Sequence, residues 1–214
     1  MKRSPEPPFH VKRILQDSEA AGIPLERDAA HRLAEYGTLP VERALPLGLI
    51  SEGDSPRLYE RHVLDSLRAV AVVPQEGAHI LDLGSGAGLP GVVLAVSRSE
   101  NSFSLVEPKA RAAGFLEMAI DQLDLGNVSV INRRAEEVEV QADVVTARAF
   151  GPIGRSWSIA VPLLRPGGSL VYFAGERFSA EQARTLDDPE RPGPIEFAPV
   201  LENAPPLVIM SRPG

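Results

Sequence analysis

After Pro74 the sequence alternates short apolar runs with helical patterns, and that rhythm leaves few folds open. "HILDL", "SFSLVEP", "VSVINR", "ADVVTARAF" and "GSLVYFAG" read as strands, while "LPGVVLAVSR", "ARAAGFLEMAIDQL" and "IGRSWSIAVPLL" read as helices. Strands joined through helices run parallel, because each crossover returns the chain to the edge it left. "RPGG" ahead of Ser169 predicts a turn into the fifth strand. "IEFAPVL" and "PPLVIMSR" predict two more strands, too close together for a crossover helix, so any pairing between them is antiparallel. The expectation is an α/β fold built on a mostly parallel seven-stranded sheet.

The chain before Pro74 reads differently. Residues 1–8 are Pro-rich and expected to be loose. "DAAHRLAEYG" places Ala30, Leu33 and Ala34 on one helical stripe and stops at Gly37. "SPRLYERHVLDSLRAVAVV" places Leu58, His62, Leu64, Leu67 and Val70 near helical spacing, with Ser55 a candidate N-cap and Pro56 in the first turn. The expected organisation is a helical extension over 1–74 and a second domain over 75–214, packed as one globular unit. A chain of 214 residues is long enough to bury a real core this way.

Composition narrows the chemistry. There are no cysteines, which removes disulfides, cysteine–zinc sites and thiolate catalysis together, and no metal site is expected. No apolar run is long enough for a membrane helix, and "MKRSPEPPFHVKRIL" lacks the apolar centre of a signal peptide. The expected setting is the cytoplasm, without a membrane partner. The formal net charge is −7, which disfavours non-specific binding to nucleic acid. A local basic patch is still compatible with it, because screening makes the near field matter most. The basic residues are almost all arginine, with only Lys2, Lys12 and Lys109 as lysines. Arginine suits bidentate phosphate recognition.

"ILDLGSGAGLPGVVLAV" (80–96) carries the chemistry. A strand, a glycine turn and a helix start make a site for a phosphate, ribose or carboxylate. Gly86-Ala-Gly88-Leu-Pro-Gly91 formally fits the dinucleotide pattern, a weak match by itself. The wider string Asp82-Leu-Gly84-Ser-Gly86-Ala-Gly88 favours another ligand. Asp82 would repel a pyrophosphate, whereas it can meet a cationic amino group directly or through water. The string resembles the first motif of class I methyltransferases that use S-adenosylmethionine. Glu107, ending the second strand, can accept both ribose hydroxyls of an adenosine and fits either ligand.

Methyl transfer from a sulfonium is an in-line displacement that needs positioning above all. Thr146-Ala-Arg148-Ala-Phe150 stands where exocyclic-amine methyltransferases carry an Asn/Asp-Pro-Pro-aromatic string. The common covalent route to pyrimidine C5 needs a cysteine. A carboxylate oxygen, a ring nitrogen such as guanine N7, or a small-molecule oxygen remains. Guanine N7 has a free lone pair and no proton, so it needs a pocket and no base.

"LDLGSGAGLPGVVLAV", "LVEPKARAAGFL", "AEE", "ARAF" and "RHVLDSL" together resemble the small-subunit rRNA guanine-N7 methyltransferase family, also called the glucose-inhibited division protein B family. The resemblance covers roughly residues 55–175, and Leu89-Pro90 and Arg61-His62-Val-Leu-Asp65-Ser66-Leu67 are its most distinctive parts. It implies a Rossmann-like class I fold and S-adenosylmethionine contacts from Gly84, Leu89, Ala135, Glu136 and Arg148, beside Asp82, Gly86, Gly88 and Glu107. Arg61 and His62 would face the substrate, and Lys109 and Arg111 would belong to a basic rim. The implied partner is 16S rRNA or a small-subunit precursor, met by a monomer; no catalytic base is assigned. The chain departs from the family at Arg111-Ala112 and at Ala174, where basic residues are usual, and "LPLGLISEGDSP" lacks the usual Asn-Leu-Thr. Two alternatives stay open: a methyltransferase diverged toward a small molecule, and a nucleoside-binding module without turnover.

Overall fold

In the computed structural model, residues 10–23, 25–54, 58–184, 192–198 and 204–214 are described. Seven strands form one sheet: β1 (His79–Leu83), β2 (Ser102–Val106), β3 (Val128–Ile131), β4 (Ala142–Arg148), β5 (Leu164–Phe173), β6 (Ile195–Ala198) and β7 (Leu207–Ser211). Their order is β3-β2-β1-β4-β5-β7-β6. β1 through β5 pair in parallel, and β7 joins β5 and β6 antiparallel. The sequence expectation of a mostly parallel sheet with an antiparallel tail is met. β1 and β4 lie side by side, with Leu83 opposite Ala147. The strand order reverses there, and open α/β sheets hold ligands beyond the carboxyl ends of their strands at such a point.

The central strands are buried on both faces, so they read as continuous apolar runs. On one face α1 (Val11–Ala20) packs on α2 (Arg27–Tyr36), α2 packs on α4 (Gly91–Ser97), and α5 (Ala110–Gln122) packs against the turn Pro40–Ala44. Ile14, Leu33 and Tyr36 share one core there with Val92, Val93, Phe103 and Leu116. Full burial of Leu33 contributes about 2 kcal/mol by area. On the other face Trp157, on α6 (Ile153–Ala160), packs with Leu81, Val145 and Leu170. The helix read from "DAAHRLAEYG" is α2, with Ala30, Leu33 and Ala34 buried and Gly37 after its end.

Three details differ from the sequence reading. Leu58–Ala71 is not one regular helix: Tyr59–Val63 is a π turn, followed by α3 (Leu64–Leu67) and a 3-10 turn (Arg68–Ala71). The π turn carries one more residue per turn than an α-helix, which rotates the buried face. Leu58, Tyr59, Val63, Leu67 and Val70 go inward, while His62 and Leu64 stay partly exposed. "RPGG" lies inside β5 rather than ahead of it: β5 starts at Leu164, and the register against β4 shifts between Ala142 and Val144. A second π turn, Pro40–Ala44, leads into a stretch of turns and bends that sequence reading left without a role. The loose segment 1–8 and the Ser55 cap with Pro56 lie outside the described residues.

Candidate functional site

The loop after β1 crosses the switch point with Gly84, Gly86 and Gly88 all at positive φ. Gly86 has φ +54, and a Cβ there would meet only the Gly84 carbonyl, at 3.8 Å, so its open side is room for a ligand. Gly91 serves close packing instead. A Cβ there would collide with Leu105 and stand 2.7 Å from Asp82 Oδ2. Gly88 backs onto Val92 and the Tyr36 hydroxyl.

Asp82 does not stand in the cleft. Its side chain is turned inward, 1% exposed. Oδ1 accepts from Thr146 Oγ1 at 2.7 Å, and Oδ2 accepts from the Gly91 N–H at 3.2 Å. The carboxylate therefore ties the loop to β4 and satisfies a free N–H at the start of α4. Burial pushes its carboxyl up to about 6, against the hydrogen bonds that favour the ion. Asp82, expected to meet a ligand's ammonium directly or through water, lines neither cleft of this edge, and each of its oxygens already accepts one internal hydrogen bond.

Glu107 follows β2 and is also buried. Oε2 accepts from Gly86 N and Oε1 from Lys109 N, both at 3.0 Å. It braces the glycine loop from beneath, and each oxygen can accept a further bond. Ala135 is buried in a 3-10 turn, and exposed Glu136 lies 3.5 Å from Arg155. Lys109 and Arg111 are exposed at the start of α5.

Two clefts open at this edge of the sheet. The first, about 340 Å³, has the loop residues Gly84, Gly86 and Leu89 on one side and Gly48, Leu49, Ile50, Ser51 and Asp54 on another. The second, about 780 Å³, has Arg61, Asp65, Tyr172, Phe173, Glu176 and Arg177 in its walls. His62, Arg148 and Ala149 line both. Gly88, Ala135, Glu136, Lys109 and Arg111 line neither. Ala149 is held at φ +52, a left-handed conformation that costs a non-glycine residue about 1 kcal/mol.

Arg148 is clamped at three points. Nε donates to Asp65 Oδ2 at 3.1 Å, and Nη2 donates to the Arg61 carbonyl at 2.8 Å and to His62 Nδ1 at 2.9 Å. Among the described residues Nη1 has no hydrogen-bond partner. Asp65 also pairs with Arg68, which is fully buried and donates to the Pro205 carbonyl. Guanidinium only donates, so His62 Nδ1 is an acceptor and the neutral ring carries its proton on Nε2. Burial first, and the Arg148 charge second, keep the His62 pKa below its ordinary value. Among the described residues its buried Nε2 has no hydrogen-bond partner, and it sits 3.7 Å from Asp54 Oδ1.

Sequence reading missed Ser51, Asp54, Tyr172, Phe173, Glu176 and Arg177. Tyr172 and Phe173 read only as part of the fifth strand, and no spaced motif marks Ser51, Asp54, Glu176 or Arg177. Asp54 accepts from Ser51 Oγ at 2.6 Å, and that bond holds its carboxyl below the ordinary range despite partial burial.

Comparison with known proteins agrees with this architecture. The family model GidB, rRNA small subunit methyltransferase G, matches residues 31–191. A ribosomal RNA small subunit methyltransferase G from Thermobifida fusca is 46% identical over 68% of this chain and 62% of its own length. One from Salinispora arenicola is 45% identical over 69% and 64%, and one from Clavibacter michiganensis 44% identical over 78% and 80%. The chain thus spans less than two thirds of the length of the first two relatives. Among solved structures, M. jannaschii TYW2 in complex with AdoMet superposes with a TM-score of 0.54 at 17% identity, covering 76% of each chain. A precorrin-6y C5,15-methyltransferase from Geobacter metallireducens gives 0.53 at 11% identity, covering 71% of this chain and 88% of that one. These two share the fold. With the family model covering most of a chain that has this fold and this glycine loop, the chain belongs to the GidB family.

Proposed function

We propose that this chain is an S-adenosylmethionine-dependent methyltransferase that acts on N7 of a guanine in small-subunit rRNA. The observation that carries the reading is the match to the family model, which spans the glycine loop, Glu107 and Arg148. The residues fit the cofactor. Gly86 leaves open space above the loop, Glu107 stands beneath it, and the first cleft meets a larger second cleft at His62, Arg148 and Ala149. Bound in the first cleft, S-adenosylmethionine supplies a methyl group on a sulfonium. The second cleft then receives the acceptor, and the clamped Arg148 holds the partition between them in place.

Among the described residues the partition offers no free base to the second cleft, and this favours a ring nitrogen. The His62 Nδ1 lone pair is taken by Arg148, and Asp65 is shared between Arg148 and Arg68. Guanine N7 offers a lone pair without a proton to remove, so positioning suffices. Arg61 and Arg177 supply charge for an RNA backbone, acting as a monomer in the cytoplasm on 16S rRNA or the small-subunit precursor. The small-molecule reading draws on Glu60, Asp65 and Glu176, which balance the three arginines of that cleft.

The test is methylation of small ribosomal subunits from a strain lacking the gene, with labelled S-adenosylmethionine and mass spectrometry of the rRNA nucleosides. The expected outcome is one new N7-methylguanine per subunit. No label in subunits or naked rRNA, with label appearing in a small-molecule fraction, would reverse the choice.

A further inference from the structure

We propose that His62 is a positioning residue that braces Arg148 only while its ring is uncharged, so that one proton on the ring loosens the partition between the two clefts and draws the ring to Asp54. The inference rests on the two-cleft reading above and adds a pH-dependent step to it.

The two ring nitrogens have different neighbours. Nδ1 accepts from Arg148 Nη2 at 2.9 Å, and that bond needs the Nδ1 lone pair. Nε2 then carries the hydrogen of the neutral ring. Its 3.7 Å separation from Asp54 Oδ1 is too long for a hydrogen bond and within reach of an ion pair once the ring is charged. A buried N–H without an acceptor is costly, so Asp54 already attracts the ring and the Arg148 bond opposes that movement. A proton taken from solvent onto Nδ1 ends the bond and sets two cations against each other. Arg148 keeps Asp65 and the Arg61 carbonyl in either state, so it loses one of three restraints. The charged groups around the ring come from three segments. They are Arg148 on β4, Asp54 after the turn Pro40–Ala44, and Arg61 and Asp65 beside His62 itself; Glu60, Glu176 and Arg177 share the second cleft. Burial first and Arg148 second oppose the charged ring, with Arg61 adding to them, while Asp54 and Asp65 favour it. The balance keeps the ring neutral at pH 7 and puts the change on the acid side.

The test pairs an NMR titration of the imidazole nitrogens with methyl transfer from labelled S-adenosylmethionine to small ribosomal subunits over the same pH range. The His62 signals are those lost in His62→Asn. At neutral pH the ring should carry its hydrogen on Nε2 alone. Asp54→Asn should lower the ring's pKa and Arg148→Met should raise it, each by about half a unit or more. Methyl transfer by the wild type should fall through the same pKa that the ring shows. His62→Asn keeps an acceptor for Arg148 and cannot take up the proton. Scaled to its own plateau, its profile should lack that acid limb. Asp82, whose carboxyl lies at about 6, is intact in every variant, so a limb that persists in His62→Asn belongs to another group and overturns the proposal. A neutral ring with its hydrogen on Nδ1 overturns it too, and so does a ring pKa that Asp54→Asn leaves in place. Thermal melting reports the folding of each variant, and the Asp54→Asn shift decides the titration alone if Arg148→Met does not fold. A wild type that methylates no subunit at any pH overturns the proposed function, and the titration still decides the switch.

Discussion

Asp82 binds its proton more tightly in the folded chain than outside it, because the site is dry: its carboxyl rises from 3.8 to about 6. A carboxyl raised in the folded state stabilises the fold fully below its unfolded pKa and loses that contribution as pH climbs through the folded one. Wild type should therefore gain stability relative to Asp82→Asn as pH falls from about 7 toward 4. Melting temperatures of the two proteins across that range check it, and parallel curves would show that Asp82 is paired well enough to stay ionised at low cost. The same residue explains the close approach at Gly91, where any side chain would strike Leu105 and the Asp82 carboxylate together. The aspartate and the glycine are two halves of one contact, nine positions apart in the chain.

At the scale of elements, α2 reaches the glycine loop directly. The Tyr36 hydroxyl, fully buried at the end of α2, donates to the Ala87 carbonyl at 2.6 Å. Burial holds its pKa far above the ordinary tyrosine value, so it remains a donor at any working pH. Tyr36→Phe removes that donor and leaves a carbonyl of the loop unpaired. The expected loss is about 1 kcal/mol of stability, with several-fold weaker S-adenosylhomocysteine binding, read by chemical denaturation and by calorimetry. A loss of stability with unchanged binding would make Tyr36 a core residue only. The π turn is the other element that matters. Its extra residue per turn carries Val63 inward and leaves His62 at the junction of the clefts, which a regular helix on the expected stripe would have buried.

At the scale of the whole molecule, the helical region and the sheet share one core, with Ile14, Leu33 and Tyr36 packed among residues of α4, β2 and α5. Residues 1–74 and 75–214 should therefore unfold together, in one denaturant transition seen alike by circular dichroism and Trp157 fluorescence, and two separated transitions would restore a division into independent domains. The sequence by itself determined the strand–helix alternation, the antiparallel tail, the glycine loop and the family. Those features are written locally, in apolar periodicity, in turn residues and in an unbroken motif. Only the tertiary structure decided which way the acids point. Asp82 turns inward because β1 and β4 become neighbours and bring Thr146 to it from a distant stretch of chain. Asp54 comes to the cleft because the segment after Pro40–Ala44 lies opposite the glycine loop, a placement no spacing in that segment announces. Charge and hydrogen-bond capacity can be read from a residue's type. Whether that capacity faces a ligand or another part of the protein is settled by long-range packing, which a linear pattern does not carry.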